Sequence, residues 1–271
     1  MNDNTTIACI GAGNMAQSLL RGLLASGHPA ARLRASDPVA DSRARLAELG
    51  VATYDDNTAA IAGADVIVLA VKPQVLGGVC TNLRITERQL IISIAAGVPL
   101  ASIRRWTGSS NIVRCMPNTP ALLQAGITGL FADTGVSVAD RARAEHVLSA
   151  VGRAIWVQDE SALDAVTAVS GSGPAYFFHL MEAMIEAGTA LGLDRATAAA
   201  LTLETAYGAA LMARQPGADA ATLRQQVTSP GGTTQRALEV MAAGDLAGTV
   251  KRALAAAAER SRELAEEFGA P

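Results

Sequence analysis

Three cysteines in 271 residues leave little for a disulfide scaffold or a metal cluster. Cys9, Cys80 and Cys115 are isolated and odd in number. Cys9 and Cys115 lie within apolar, strand-like runs, so neither a pairing framework nor a metal-ligand spacing fits. Cysteine used this way points to a reduced, cytoplasmic compartment. Basic runs are also missing. The chain has 22 Lys+Arg against 25 Asp+Glu, a net charge of -3, which gives no footprint for nucleic acid or an acidic membrane surface. No stretch approaches an uninterrupted membrane-spanning length. Met1–Gly13 has no positive segment ahead of an apolar one, so an export signal is not expected. Histidine is scarce: His28 falls in a loop signal, His146 on a polar helix face and His179 in a helix, where packing is the commoner use. No His–Asp pair is evident. Hydrophobic residues, by contrast, make up 50% of the chain, enough for a real core in one large domain or two smaller ones.

The apolar run Thr6–Ile10 leads directly into Gly11-Ala12-Gly13-Asn14-Met15-Ala16, and a helical pattern follows over Met15–Ser26. Strand, G-x-G-x-x-A turn and helix together form a dinucleotide-binding fingerprint. Gly11 allows the tight turn, Gly13 lets the backbone approach a pyrophosphate, and Ala16 lets helix and strand pack closely. The next strand, Leu33–Ser36, ends at Asp37-Pro38. An acid at position 37 suits the ribose hydroxyls of NAD, whereas Arg34 or Arg43 nearby could receive the 2′-phosphate of NADP. Asp37 could equally cap the helix Ala40–Leu49, so this turn leaves both cofactors open.

Further strand candidates follow at Val51–Tyr54, Val66–Val71, Leu90–Ile94, Ile112–Cys115, Ile127–Phe131 and Ala154–Val157, with helices at Thr58–Ala62 and Ala139–Val151. Continuous apolar runs between helices predict a mostly parallel sheet covered on both faces. Ligands of such sheets sit beyond the carboxyl ends of the strands. Strand ends at Lys72, Gly97 and Asn118 should therefore share a crevice with Gly13.

No strand is expected after Ser161. Ser170-Gly171-Ser172-Gly173-Pro174 breaks the chain, and a helix of about 20 residues should follow to Gly192. Helices are expected at Arg195–Arg214, Thr222–Val227, Thr234–Ala243 and Leu246–Phe268. They carry apolar residues on more than one face, which predicts subunit association. Within this half, Val227–Thr234 reads Val-Thr-Ser-Pro-Gly-Gly-Thr-Thr. Adjacent glycines before a helix start can aim backbone N–H groups and a helix dipole at a small carboxylate. An ordinary capped helix start is the alternative.

Gly11–Ala16, Ala70-Val71-Lys72-Pro73-Gln74, Met116-Pro117-Asn118-Thr119-Pro120, Ser170–Tyr176 and Val227–Thr234, in this order over nearly the whole chain, resemble the pyrroline-5-carboxylate reductase family. The resemblance implies an α/β fold with an N-terminal Rossmann-like domain over residues 1–160. A helical substrate-binding and dimerisation domain would cover 161–271. It further implies a homodimer or a larger assembly of dimers, a cyclic imino acid as substrate, and reduction with NADPH, or NADH as the alternative. The cofactor residues it implies are Gly11, Gly13, Asn14, Met15, Ala16, Ser36, Asp37, Asn57, Ala70, Val71, Lys72, Pro73, Ala95, Ala96, Gly97 and Asn118. Met116, Ser229, Gly231, Gly232, Thr233 and Thr234 fall on the substrate side, Met116 by packing. Thr234 and Lys72 are the candidates for chemistry, and no metal is implied.

The chemistry is compatible with so sparse a set. A cyclic imine takes up a proton near neutrality, so correct placement and one hydroxyl on the ring nitrogen suffice. A 3-hydroxyacid-dehydrogenase-type enzyme would need a catalytic lysine in a long helix. Besides Lys72 the chain has only Lys251, with no glycine-rich or asparagine partner nearby. A non-catalytic dinucleotide sensor would need neither the carboxylate nest nor Thr234.

Overall fold

Strands buried on both faces must be apolar on both faces, and the side chains of the first strand divide accordingly. In the computed structural model, which describes residues 4–217 and 219–269, β1 is Ile7–Ile10. Ile7 and Cys9 join one hydrophobic cluster, Ala8 and Ile10 the other. The alternation then follows the chain: α1 Asn14–Ala25, β2 Leu33–Ser36, α2 Ala40–Ala47, β3 Ala52–Tyr54, α3 Asn57–Ile61, β4 Val66–Leu69, α4 Pro73–Cys80, β5 Leu90–Ser93, α5 Leu100–Thr107 and β6 Ile112–Met116. β7 (Gly126–Ala132), α6 (Val138–Ser149) and β8 (Gly152–Trp156) complete the sheet. The strands run in the order β3-β2-β1-β4-β5-β6-β7-β8. All neighbours are parallel except β6 and β7. Leu19, Leu20 and Leu23 of α1, Leu46 of α2 and Val147 of α6 cover one face. Ile61 of α3, Leu76 and Cys80 of α4 and Ile103 of α5 cover the other. Strand order reverses between β1 and β4, which is where such sheets bind ligands.

All eight expected strands form. α4 and α5 were not anticipated individually.

After β8 the chain is helical: α7 (Ala162–Val166), a π turn over Thr167–Gly171, α8 (Gly173–Ala190), α9 (Arg195–Ala213), α10 (Ala220–Gln226), α11 (Thr233–Ala243) and α12 (Leu246–Gly269). Two compact units result: Met1–Ser172 with Ala256–Pro271, and Gly173–Ala255. The division falls later than the boundary after residue 160 read from the sequence, because Leu163 and Ala168 are buried with the sheet unit, 1% and 2% exposed. The end of α12 also belongs to that unit. Within the helical unit, Asp194 caps α9 through Thr197 N (2.9 Å) and Asp219 caps α10 through Thr222 N (2.9 Å). Among its described residues only Gly173, Ala198 and Thr202 are buried. Phe177, Phe178 and Tyr207 are about two-thirds exposed, at 65%, 64% and 64%. A five-helix unit with so small a core is completed by another surface.

Candidate active site

The site residues fall into two groups, one in each unit. In the sheet unit the first turn is built around Gly11, whose φ of +98° only glycine adopts readily. A Cβ there would lie 2.7 Å from the Ala70 carbonyl oxygen. Gly13 caps α1 with no side chain covering the helix start, and a Cβ built on it meets nothing within 4 Å. The head of α1 is thus open at Gly13, with no side chain bonded to its N–H groups, the arrangement a pyrophosphate needs. Ala16 is 1% exposed against the core, as the close helix–strand contact requires.

Beside this turn, Met15, Ala70, Val71, Lys72, Pro73, Ala95, Ala96 and Met116 line one crevice with Ile94 and Pro117. The walls are apolar except for Lys72, which is exposed and sits just ahead of α4. A flat, weakly polar ring suits such walls. Ile94 and Pro117 went unnoticed in the sequence because each reads as the apolar flank of a more conspicuous motif.

Other expected cofactor residues hold one another. Ser36 is fully buried, and its Oγ lies 2.7 Å from Asn57 Oδ1. Asp37 accepts the Ala12 amide on one carboxylate oxygen (2.8 Å) and the Val39 amide on the other (2.9 Å). Arg43 Nη1 donates to the carbonyls of Asp37 (2.6 Å) and Pro38 (3.0 Å), which keeps its guanidinium at the end of β2. Arg34 instead points to the end of α3, donating to the Ala62 carbonyl at 2.6 Å. Asn118 accepts the Ile127 amide (2.9 Å) and donates to the Ser170 carbonyl (3.2 Å), so its amide braces the β6–β7 connection and the π turn. Gly97 is buried and is absent from the crevice lining. It packs under α12, where a Cβ would meet Leu264 Cβ at 3.2 Å.

In the helical unit, the loop before α11 differs from the expected nest. The Gly231 amide donates to Gln235 Oε1 (2.7 Å) and the Gly232 amide to the Ser229 carbonyl (3.0 Å). Both glycine N–H groups are thus used within the loop. Gln235 is three residues past the cap Gly232, the spacing of a capping box, and that was the available signal. The amides of Thr233 and Thr234 have no acceptor among the described residues, no side chain caps α11, and the Thr234 hydroxyl makes no hydrogen bond among them. The N–H groups left open at this helix start are therefore those of Thr233 and Thr234, one step further on, where the dipole of α11 adds to them.

No thiol competes for the chemistry. All three cysteines are buried. Desolvation pushes the Cys9 and Cys80 thiols up to about 12 and Cys115 well above its ordinary value. His28 Nε2 lies 3.0 Å from the Thr5 carbonyl. His179 is exposed and 3.4 Å from Glu182, where the sequence suggested packing.

The glycine turn, the uncapped helix and the crevice at the point of strand reversal define a dinucleotide-binding oxidoreductase of Rossmann type. Comparison with known proteins narrows the class. Residues 6–97 match the family model "NADP oxidoreductase coenzyme F420-dependent" and residues 160–264 match "Pyrroline-5-carboxylate reductase dimerisation". The chain is 54% identical over 267 residues to the pyrroline-5-carboxylate reductase of Pseudomonas aeruginosa, covering 97% of this chain and 98% of that one. The solved pyrroline-5-carboxylate reductase of Coxiella burnetii superposes with a TM-score of 0.92 at 43% identity, covering 96% and 98% of the two chains. That of Plasmodium falciparum, solved with NADP bound, gives 0.86 at 28% identity, covering 97% and 99%. The chain belongs to the pyrroline-5-carboxylate reductase family.

Proposed function

We propose that this protein reduces 1-pyrroline-5-carboxylate to L-proline, the last step of proline biosynthesis, as a cytoplasmic homo-oligomer built from dimers. The observation that carries this is the start of α11. Two amides and one hydroxyl without a partner among the described residues, at Thr233 and Thr234, match the carboxylate and the ring nitrogen of a small imino acid. When bound in the crevice, a reduced nicotinamide supplies the hydride. The Thr233 and Thr234 amides hold the substrate carboxylate, and Ser229 shapes the loop around it. The Thr234 hydroxyl hydrogen-bonds the ring nitrogen as it changes from imine to amine. Lys72 lends positive charge at the crevice mouth, and the apolar walls exclude water. Functionally, residues 1–160 bind the dinucleotide, and 161–271 bind substrate and form the dimer.

NADPH is the proposed cofactor, with NADH the alternative. In a site restricted to NAD the acid after β2 takes the ribose hydroxyls. Here each Asp37 oxygen already accepts a backbone N–H, and the Arg43 guanidinium stands at the same strand end with donors left for a 2′-phosphate. The relative from Plasmodium falciparum, solved with NADP, supports this choice. A steady-state assay with pyrroline-5-carboxylate and each reduced cofactor tests the reading. Consumption of NADPH matched by proline formed is expected, and no turnover with either cofactor overturns it.

A further inference from the structure

We propose that the last turns of α12 position the β5–α5 turn, and through it one wall of the dinucleotide crevice, with Leu264 and Phe268 as positioning residues. The proposal rests on reading that crevice as the NADPH site.

Ala95-Ala96-Gly97, the part of the turn between Ile94 and the buried Val98, carries no side chain larger than a methyl group. Ala95 and Ala96 nevertheless line the crevice. Its placement is supplied from outside. Ser261, Leu264 and Phe268 recur three and four residues apart and so share one stripe of α12. Phe268 packs on the cluster that contains Ala95, Val98, Leu100 and Ile103. Gly97, with φ +72°, leaves room for this helix: a Cβ there would lie 3.2 Å from Leu264 Cβ and 3.4 Å from Phe268 Cδ2.

Polar contacts fix the helix at both ends of the stripe. Ser261, 4% exposed, donates to Asp164 Oδ1 at 2.7 Å. The Gly269 carbonyl, one of the acceptors a helix end leaves unpaired, accepts Ser102 Oγ at 2.9 Å and Arg105 Nη2 at 3.0 Å. On the far side of the turn, Glu160 Oε1 accepts the Leu100 amide (2.8 Å) and Arg114 Nη1 (2.7 Å). A small-residue turn is thus clamped between the crevice and a helix none of whose residues line that crevice.

The test measures NADPH binding without substrate, by calorimetry, on the full-length wild type and on Leu264→Ala/Phe268→Ala. Hydrogen exchange over residues 94–100 and light scattering accompany it. The expected result is NADPH binding about five- to tenfold weaker, within the usual range for sites coupled through a shared element. Faster exchange at 94–100 and an unchanged oligomer are also expected. Phe268→Leu, which keeps most of the packing volume, should bind close to wild type. Should the double variant fail to fold, Phe268→Ala alone should shift binding in the same direction. Wild-type affinity in Phe268→Ala with only a lower Tm overturns the proposal, since mere structural packing would give that pattern. A wild type that binds no NADPH overturns the crevice reading and this inference with it.

Discussion

Thr234 is the second residue of α11 and Gly232 occupies the cap position, so its hydroxyl is not spent on holding the helix start. Thr234→Ala should lower kcat about 100-fold, the low end for proton assistance, because the imine arrives protonated. Its Tm should stay close to wild type, as for a substitution that breaks no cap. Thr234→Ser should keep much of the activity. Normal kcat with a lower Tm would reverse the assignment. Gly13 offers an equally clean test. A Cβ there meets no protein atom, so Gly13→Val should fold, yet it should abolish NADPH binding in calorimetry by filling the space at the head of α1. Arg43→Ala should lower the NADPH-to-NADH ratio of kcat/KM by about tenfold, the loss of one charged hydrogen bond. An unchanged ratio would move the 2′-phosphate elsewhere.

Two acids, Asp194 and Asp219, start α9 and α10. Hydrogen bonds hold both carboxyls below their ordinary value. At Asp194 the Thr197 hydroxyl contributes most, at Asp219 the Thr222 amide. A carboxyl lowered in the folded state stabilises fully above its unfolded value of about 4, and that contribution is lost as pH falls through the folded one. Asp194→Asn should therefore melt below wild type at neutral pH, with the gap closing in acid. A gap independent of pH would contradict the cap's ionic character. Elements of this kind were legible in the sequence wherever one signal dominated. The central strands β1, β4 and β5 showed as apolar runs because burial on both faces demands it. α4 was obscured by Gly77-Gly78 inside it, and α5 by the Gly97-Val98-Pro99 turn ahead of it. The crevice residues at the ends of β4 and β5 were visible from the strand-end rule, whereas the packing of Gly97 against Leu264 and Phe268 was not, because those partners lie far along the chain. The use of the Gly231 amide by Gln235 depends on a side-chain rotamer that no spacing rule fixes.

Across the whole molecule, the crevice lies in the sheet unit and the loop before α11 in the helical unit. The helical unit buries too little of its own apolar surface to stand alone. Light scattering should find a dimer or a multiple of one, and Phe178→Glu on α8 should shift it toward smaller species with loss of activity. A stable, active monomer would contradict the role given to this unit. As a pyrroline-5-carboxylate reductase, the protein should pass hydride from the reduced nicotinamide cofactor to the imine carbon. The most direct measurement uses NADPH deuterated at the transferring position, with mass spectrometry of the product. One deuterium on the proline ring carbon that was the imine carbon is the predicted result. Unlabelled proline, or NADPH bound without any proline formed, would contradict it.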